Sequence, residues 1–178
     1  MLKIAVYSLS MLFFTNIALA EPVFNFSFKF KTSGGDGFVA SYFTRTDKQI
    51  IYSNVGAAVF APGKTDFASI KMPLKGGQGC SRKVPNSYVG NDGANYSNIN
   101  STCVTITKED SNTYYVKETT TTELDNGAIV HNYVAFHLFI NGDTCNTTAD
   151  VIWRTFKNGG DLRVAATSVE RTCQPAKF

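Results

Sequence analysis

The sequence predicts an all-β fold, an antiparallel β-sandwich with a C-terminal meander, and three observations predict it. Apolar residues recur with period two, clusters of Gly, Asn and Asp punctuate those runs, and helical periodicity is nearly absent after the first twenty residues. Long consecutive hairpin strands also suit a meander that closes into a β-barrel, which is the alternative architecture.

Residues 1–20 read as a signal peptide. Lys3 supplies a positive start, an apolar run follows to Leu19, and Ala18-Leu19-Ala20 fits a small-x-small cleavage site before Glu21. The run is short and broken by polar residues, so it does not read as a membrane span. The expected mature chain, 21–178, has the length of a single all-β domain able to bury a core. No further long apolar run occurs, so no transmembrane segment is expected in it.

The elements follow in order. Phe24, Phe26, Phe28 and Phe30 alternate with polar residues, which puts four rings on one face of a strand. Residues 33–37 are a Gly-rich turn, and Phe38 to Thr46 return as the second strand of a hairpin. Residues 49–61 suit one or two strands broken near Gly56, with Pro62-Gly63 ending them, and Phe67 to Met72 suit another short strand. Residues 75–102 carry much Gly, Asn and Ser and little apolar periodicity, so they read as one long loop. Strands are then expected at 103–109, 113–124, 128–140, 148–157 and 161–171, joined by short turns that make antiparallel neighbours. Four successive threonines, Thr119 to Thr122, read as a solvated or edge region.

Charge narrows the function. Of 17 Lys and Arg, only Lys3 falls in the leader, which leaves 16 cations against 14 acids. Such a scattered, near-neutral balance gives no footprint for nucleic acid. The four cysteines, Cys80, Cys103, Cys145 and Cys173, suit disulfides in an oxidising compartment, secreted or periplasmic. Four cysteines allow three pairings, and the expectation is nearest neighbours, Cys80–Cys103 and Cys145–Cys173, each worth ~3 kcal/mol by chain entropy. No C-x-x-C pair or adjacent histidine suggests a metal, and no cofactor motif is present.

Candidate chemistry is sparse. His131 and His137 share a strand face but stand ~20 Å apart, too far for one site. No G-x-S-x-G elbow occurs, most Asp residues sit in turns, and Glu118 and Glu123 have opposite parity, so no acid pair is legible. Trp153 suits either a sugar-stacking platform or a partly buried ring. Asn25, Asn95, Asn100 and Asn146 head N-x-[ST] sequons in a chain rich in all three residue types.

The expectation is therefore a non-catalytic binding protein, recognising a protein or carbohydrate through the disulfide-clamped loop. That loop presents Arg82, Lys83, Tyr88, Asn91, Asp92 and Tyr96, a mixture of contact area and adaptable hydrogen bonding. The alternative is a structural or adhesive assembly subunit. In plan (leader, one β domain, disulfides, alternating Phe24–Phe30) the chain resembles chaperone–usher pilin subunits, which implies a strand that pairs with a neighbour's sheet. The cysteine spacing and C-terminal residues depart from that pattern.

Overall fold

Alternation along the chain produces strands throughout. The computed structural model describes residues 22–54, 69–89, 95–157 and 161–176. Among these it holds twelve strands and no helix: β1 (Val23–Thr32), β2 (Gly35–Arg45), β3 (Gln49–Asn54), β4 (Ile70–Pro73), β5 (Gly76–Cys80), β6 (Val84–Val89), β7 (Asn95–Lys108), β8 (Thr113–Leu124), β9 (Ile129–Asn141), β10 (Thr144–Thr147), β11 (Val151–Lys157) and β12 (Asp161–Pro175). The leader, the Gly56 break, the Pro62-Gly63 turn and the 158–160 turn lie outside the described residues.

All pairings are antiparallel, in the order β4-β3-β2-β1-β12-β11-β9-β8-β7-β5, with β10 on β9 and β6 on β7. The sheet is continuous and folds back on itself into two packed layers. One layer holds β1 to β4, the other β5 to β11, and β12 belongs to both. Its residues 161–165 pair with β11 and residues 166–175 pair with β1. A bulge marks the change of layer: Lys31 opposes Ser168 and Thr32 opposes Ala166, leaving Thr167 over. Strands that switch sheets at such bends make the corners of sandwiches.

The sheet stays open between its end strands, which excludes the closed barrel. β4 and β5 are joined by the turn at 74–75 but form no ladder. The Ile70 side chain of β4 packs on the β5 backbone: a Cβ built on Gly79 would lie 2.5 Å from Ile70 Cγ2. Glycine is required where Ile70 presses this closely on the β5 backbone.

The core is aromatic because the period-two phenylalanines of β1 face β9. Phe26 packs against Phe136 with ring centroids 5.0 Å apart and against Tyr52 at 5.9 Å, and Phe28 meets Phe136 at 4.8 Å. All four β1 rings are buried. The expected core face of β9 is also observed: Val134, Phe136, Leu138 and Ile140 are buried.

Four expectations are corrected. Residues 75–102 are not one long loop; they contain β5, β6 and the first part of β7. Main-chain ladders need no apolar side chains, so Asn- and Ser-rich sequence concealed the strands. The strand expected at 148–157 begins only at Val151, as β11, and an unexpected short strand, β10, precedes it at 144–147. The threonine run is not an edge: β8 is flanked by β7 and β9, and Thr120 is buried. Finally, β1 is paired on both sides, to β2 and β12, so it offers no free edge to a neighbour's sheet.

Candidate functional site

The disulfide network fixes the geometry of the segment proposed for recognition. Cys80 and Cys103 are directly opposed across β5 and β7 and bonded to each other. Cys145–Cys173 ties β10 to β12, with both sulfurs against the edge of the core. Both pairs are the nearest-neighbour ones, and such bonds suit an oxidising extracytoplasmic environment.

Just beyond Cys80 the chain turns into β6, which pairs with β7 from Val84↔Asn100 to Val89↔Asn95. The β7–β8 ladder begins only at Asn98↔Leu124. Among the described residues, Asn95, Tyr96 and Ser97 therefore pair with β6 alone. They form the end of a two-stranded arm that extends past the sheet. Its root is anchored several times: the disulfide, Ser81 N–H to the Thr102 carbonyl at 2.8 Å, Thr102 N–H to Ser81 Oγ at 3.0 Å, and a Lys83–Glu123 ion pair.

The predicted contact residues distribute along this arm. Arg82 is exposed at its root, and Lys83 beside it is engaged with Glu123. Tyr88 and Tyr96 are register partners near the far end. Asn91 and Asp92 lie outside the described residues. Where the arm leaves the sheet, an open groove of about 380 Å³ runs between Pro85, Ser97, Asn98 and Ile99 on one side and Leu124 and Ile129 on the other.

The histidines and the tryptophan form no catalytic group with one another. His131 Nδ1 meets Thr121 Oγ1 at 2.9 Å. His137 lies between two carboxylates, Asp150 on Nδ1 at 2.7 Å and Glu109 on Nε2 at 3.5 Å, with the Tyr115 ring tilted against it at 4.8 Å. The acids sit on opposite sides of the ring and do not converge on one point. Among the described residues no group of His, Cys, Asp and Glu can hold a metal ion. Trp153 is partly buried. Tyr133 stacks on it at 4.6 Å, and the Arg163 guanidinium lies 4.3 Å from its ring centre. Tyr133 and Arg163 come from strands on opposite sides of β11, so the ring faces are occupied and offer no sugar platform as they stand.

Sequence reading missed a buried carboxylate. Glu118 is fully buried and reaches across from β8 to the opposite layer. Its Oε2 accepts from Ser41 Oγ at 2.9 Å and from Tyr52 Oη; its Oε1 accepts from Asn54 Nδ2 at 2.6 Å and Thr120 Oγ1 at 3.0 Å. Among the described residues its hydrogen-bond donors are all neutral. Burial raises the Glu118 pKa against the lowering effect of those hydrogen bonds. Burial first, and Glu118 second, hold the Tyr52 hydroxyl well above its ordinary value. The signal was present in parity: Glu118 shares a face with Tyr114 and Val116, both buried.

Glu118 marks a change along the inner face of the larger layer. Toward the β7–β8 turn the cross-strand row is Ile106, Val116 and Phe136. Two residues beyond Glu118 the row is Thr102, Thr120, Asn132 and Arg154. Thr102 Oγ1 is buried with no hydrogen-bond partner among the described residues, while Arg154 Nε donates to Asn132 at 2.9 Å. Beyond these, Asn100 and Thr122 bond each other at 2.8 Å. The interior thus becomes polar toward the end of the sandwich that carries the arm.

The described geometry defines an all-β, antiparallel, disulfide-bonded protein with one anchored arm, a class compatible with secreted binding or adhesive proteins. No known family model, curated protein or solved structure matches the chain.

Proposed function

We propose that this is an exported, non-catalytic binding protein, secreted or periplasmic, that recognises a glycan or protein through the β6–β7 arm. The observation that carries this reading is the arm itself. Among the described residues its last ones, Asn95 to Ser97, pair only within the arm, and a disulfide, an ion pair and main-chain bonds hold its root. Such an arm costs little entropy to immobilise on binding, because its root is already ordered. Arg82 at its base and the Tyr88–Tyr96 pair supply residue types that dominate recognition surfaces. Ile99, 38% exposed in the adjoining groove, adds an apolar contact.

The test uses the oxidised chain 21–178 on a glycan array and in pull-downs from envelope and host-surface extracts. Specific capture that is lost in Tyr88→Ala and Arg82→Ala, with thermal midpoints unchanged, is expected. Capture that survives both substitutions refutes the arm as the binding element.

A further inference from the structure

We propose a second recognition site, for a carboxylate-bearing sugar, in the groove beside the β1–β2 turn. The proposal does not rest on the arm. The groove is open, about 790 Å³, and is lined by Lys29, Lys31, Phe38, Arg154, Asp36 and Glu170 among others.

Arg154 is the central residue. It reaches from β11 toward β2, donating from Nη1 to the Asp36 carbonyl and from Nε to Asn132. Its guanidinium lies 5.4 Å from the centre of the Phe156 ring, and Phe156 packs over the turn, its Cε2 only 2.5 Å from where a Cβ on Gly34 would stand. The guanidinium is half-buried, yet it has no salt-bridge partner among the described residues. A guanidinium has five N–H donors, and two are used among the described residues. The remaining donors form a fork suited to a carboxylate. Lys29 and Lys31, both exposed on β1, add positive charge on the same groove.

The other lining groups select the body of the ligand. Phe38 is 54% exposed and offers an apolar ring face to the groove. A bare inorganic anion leaves that face unused, and Asp36 and Glu170 disfavour multiply charged anions. The same two carboxylates, with Ser168, accept hydrogen bonds from hydroxyls. One carboxylate, several hydroxyls and an apolar ring face together describe an acidic monosaccharide unit.

The experiment is an amide chemical-shift titration of oxidised 21–178 with glucuronate, glucose and acetate at matched ionic strength. Saturable shifts around Lys29–Phe38 and Arg154 with glucuronate are expected, with glucose and acetate each at least tenfold weaker. Arg154→Gln is expected to weaken glucuronate at least tenfold. Lys31→Gln, at an exposed position, reports the same loss if Arg154→Gln fails to fold, and Phe38→Ala weakens glucuronate while leaving acetate unchanged. No saturable glucuronate shift overturns the proposal, as does equal binding of glucose. Equal binding of acetate, unaffected by Phe38→Ala, reduces the site to an unselective anion contact and also overturns it. Failure here leaves arm binding untouched, because the arm contributes no residue to this groove.

Discussion

Replacing Glu118 with alanine strands the donors of Ser41, Tyr52, Asn54 and Thr120 inside the molecule. Each buried donor left without an acceptor costs about 1–3 kcal/mol. The hydroxyls of Ser41, Tyr52 and Thr120 can turn toward one another, so not every penalty is realised. Removing the carboxylate also removes its own desolvation cost. The net expectation is a loss of about 3 kcal/mol, or roughly 6–12 °C in thermal midpoint for a domain of this size. Glu118→Gln behaves differently. One amide oxygen keeps two donors, and the hydroxyls facing the new NH₂ can turn to accept from it, so a loss of about 1 kcal/mol is expected. Paired urea and thermal unfolding of the three proteins makes the measurement. Equal destabilisation by Ala and Gln, or none by Ala, would show that the hydrogen-bond network is not what holds the carboxylate.

Other outcomes follow from the same structure. Because burial raises the Glu118 pKa, the folded state keeps a proton that the unfolded chain has already lost. Wild-type stability relative to Glu118→Gln should therefore fall as pH rises from the ordinary Glu range through the raised folded value, and a difference that grows with pH in the opposite sense would contradict the assignment. Converting Cys80 and Cys103 to serine should cost about 3 kcal/mol by chain entropy and speed amide exchange in 84–100 more than in β9; uniform acceleration in both would deny the bond its local anchoring role. Gly37→Ala places a Cβ 2.2 Å from Phe30 Cζ, beneath a ring that is itself buried, and should destabilise by about 2 kcal/mol in urea unfolding. A variant as stable as wild type would show that the Phe30 ring moves aside freely.

Most of the architecture could be read from alternation. Phe24 to Phe30 identified both a strand and its buried face, and the Asp125-Asn126-Gly127 turn correctly separated β8 from β9. Reading failed where side-chain chemistry and main-chain geometry diverge. In β6 and β7 the ladders are formed by peptide groups, and a run such as Asn95-Tyr96-Ser97-Asn98 hides them. The threonine run was misplaced because hydroxyls normally signal solvent, whereas Thr120 faces a buried carboxylate. The sites were less legible than the strands, since each joins residues remote in sequence. Glu118 meets Asn54 across a separation of 64 residues, and Arg154 meets Asp36 across 118. Period and parity say which face a residue takes, but not which strand lies opposite it.

The pairing of β1 with β12 has a consequence for how the molecule is made. Phe24 opposes Pro175, and Phe26 opposes Cys173, so this ladder joins the first described strand to the last. Until the last strand is available, one edge of β1 has no partner, and its four aromatic side chains belong to an incomplete layer. Closing so long a loop costs entropy before any contact rewards it, and chains dominated by distant pairings fold slowly. Such a chain stays unfolded during synthesis for longer than one built from local hairpins. The layers of this molecule therefore condense fully only when β12 arrives to close the ladder with β1.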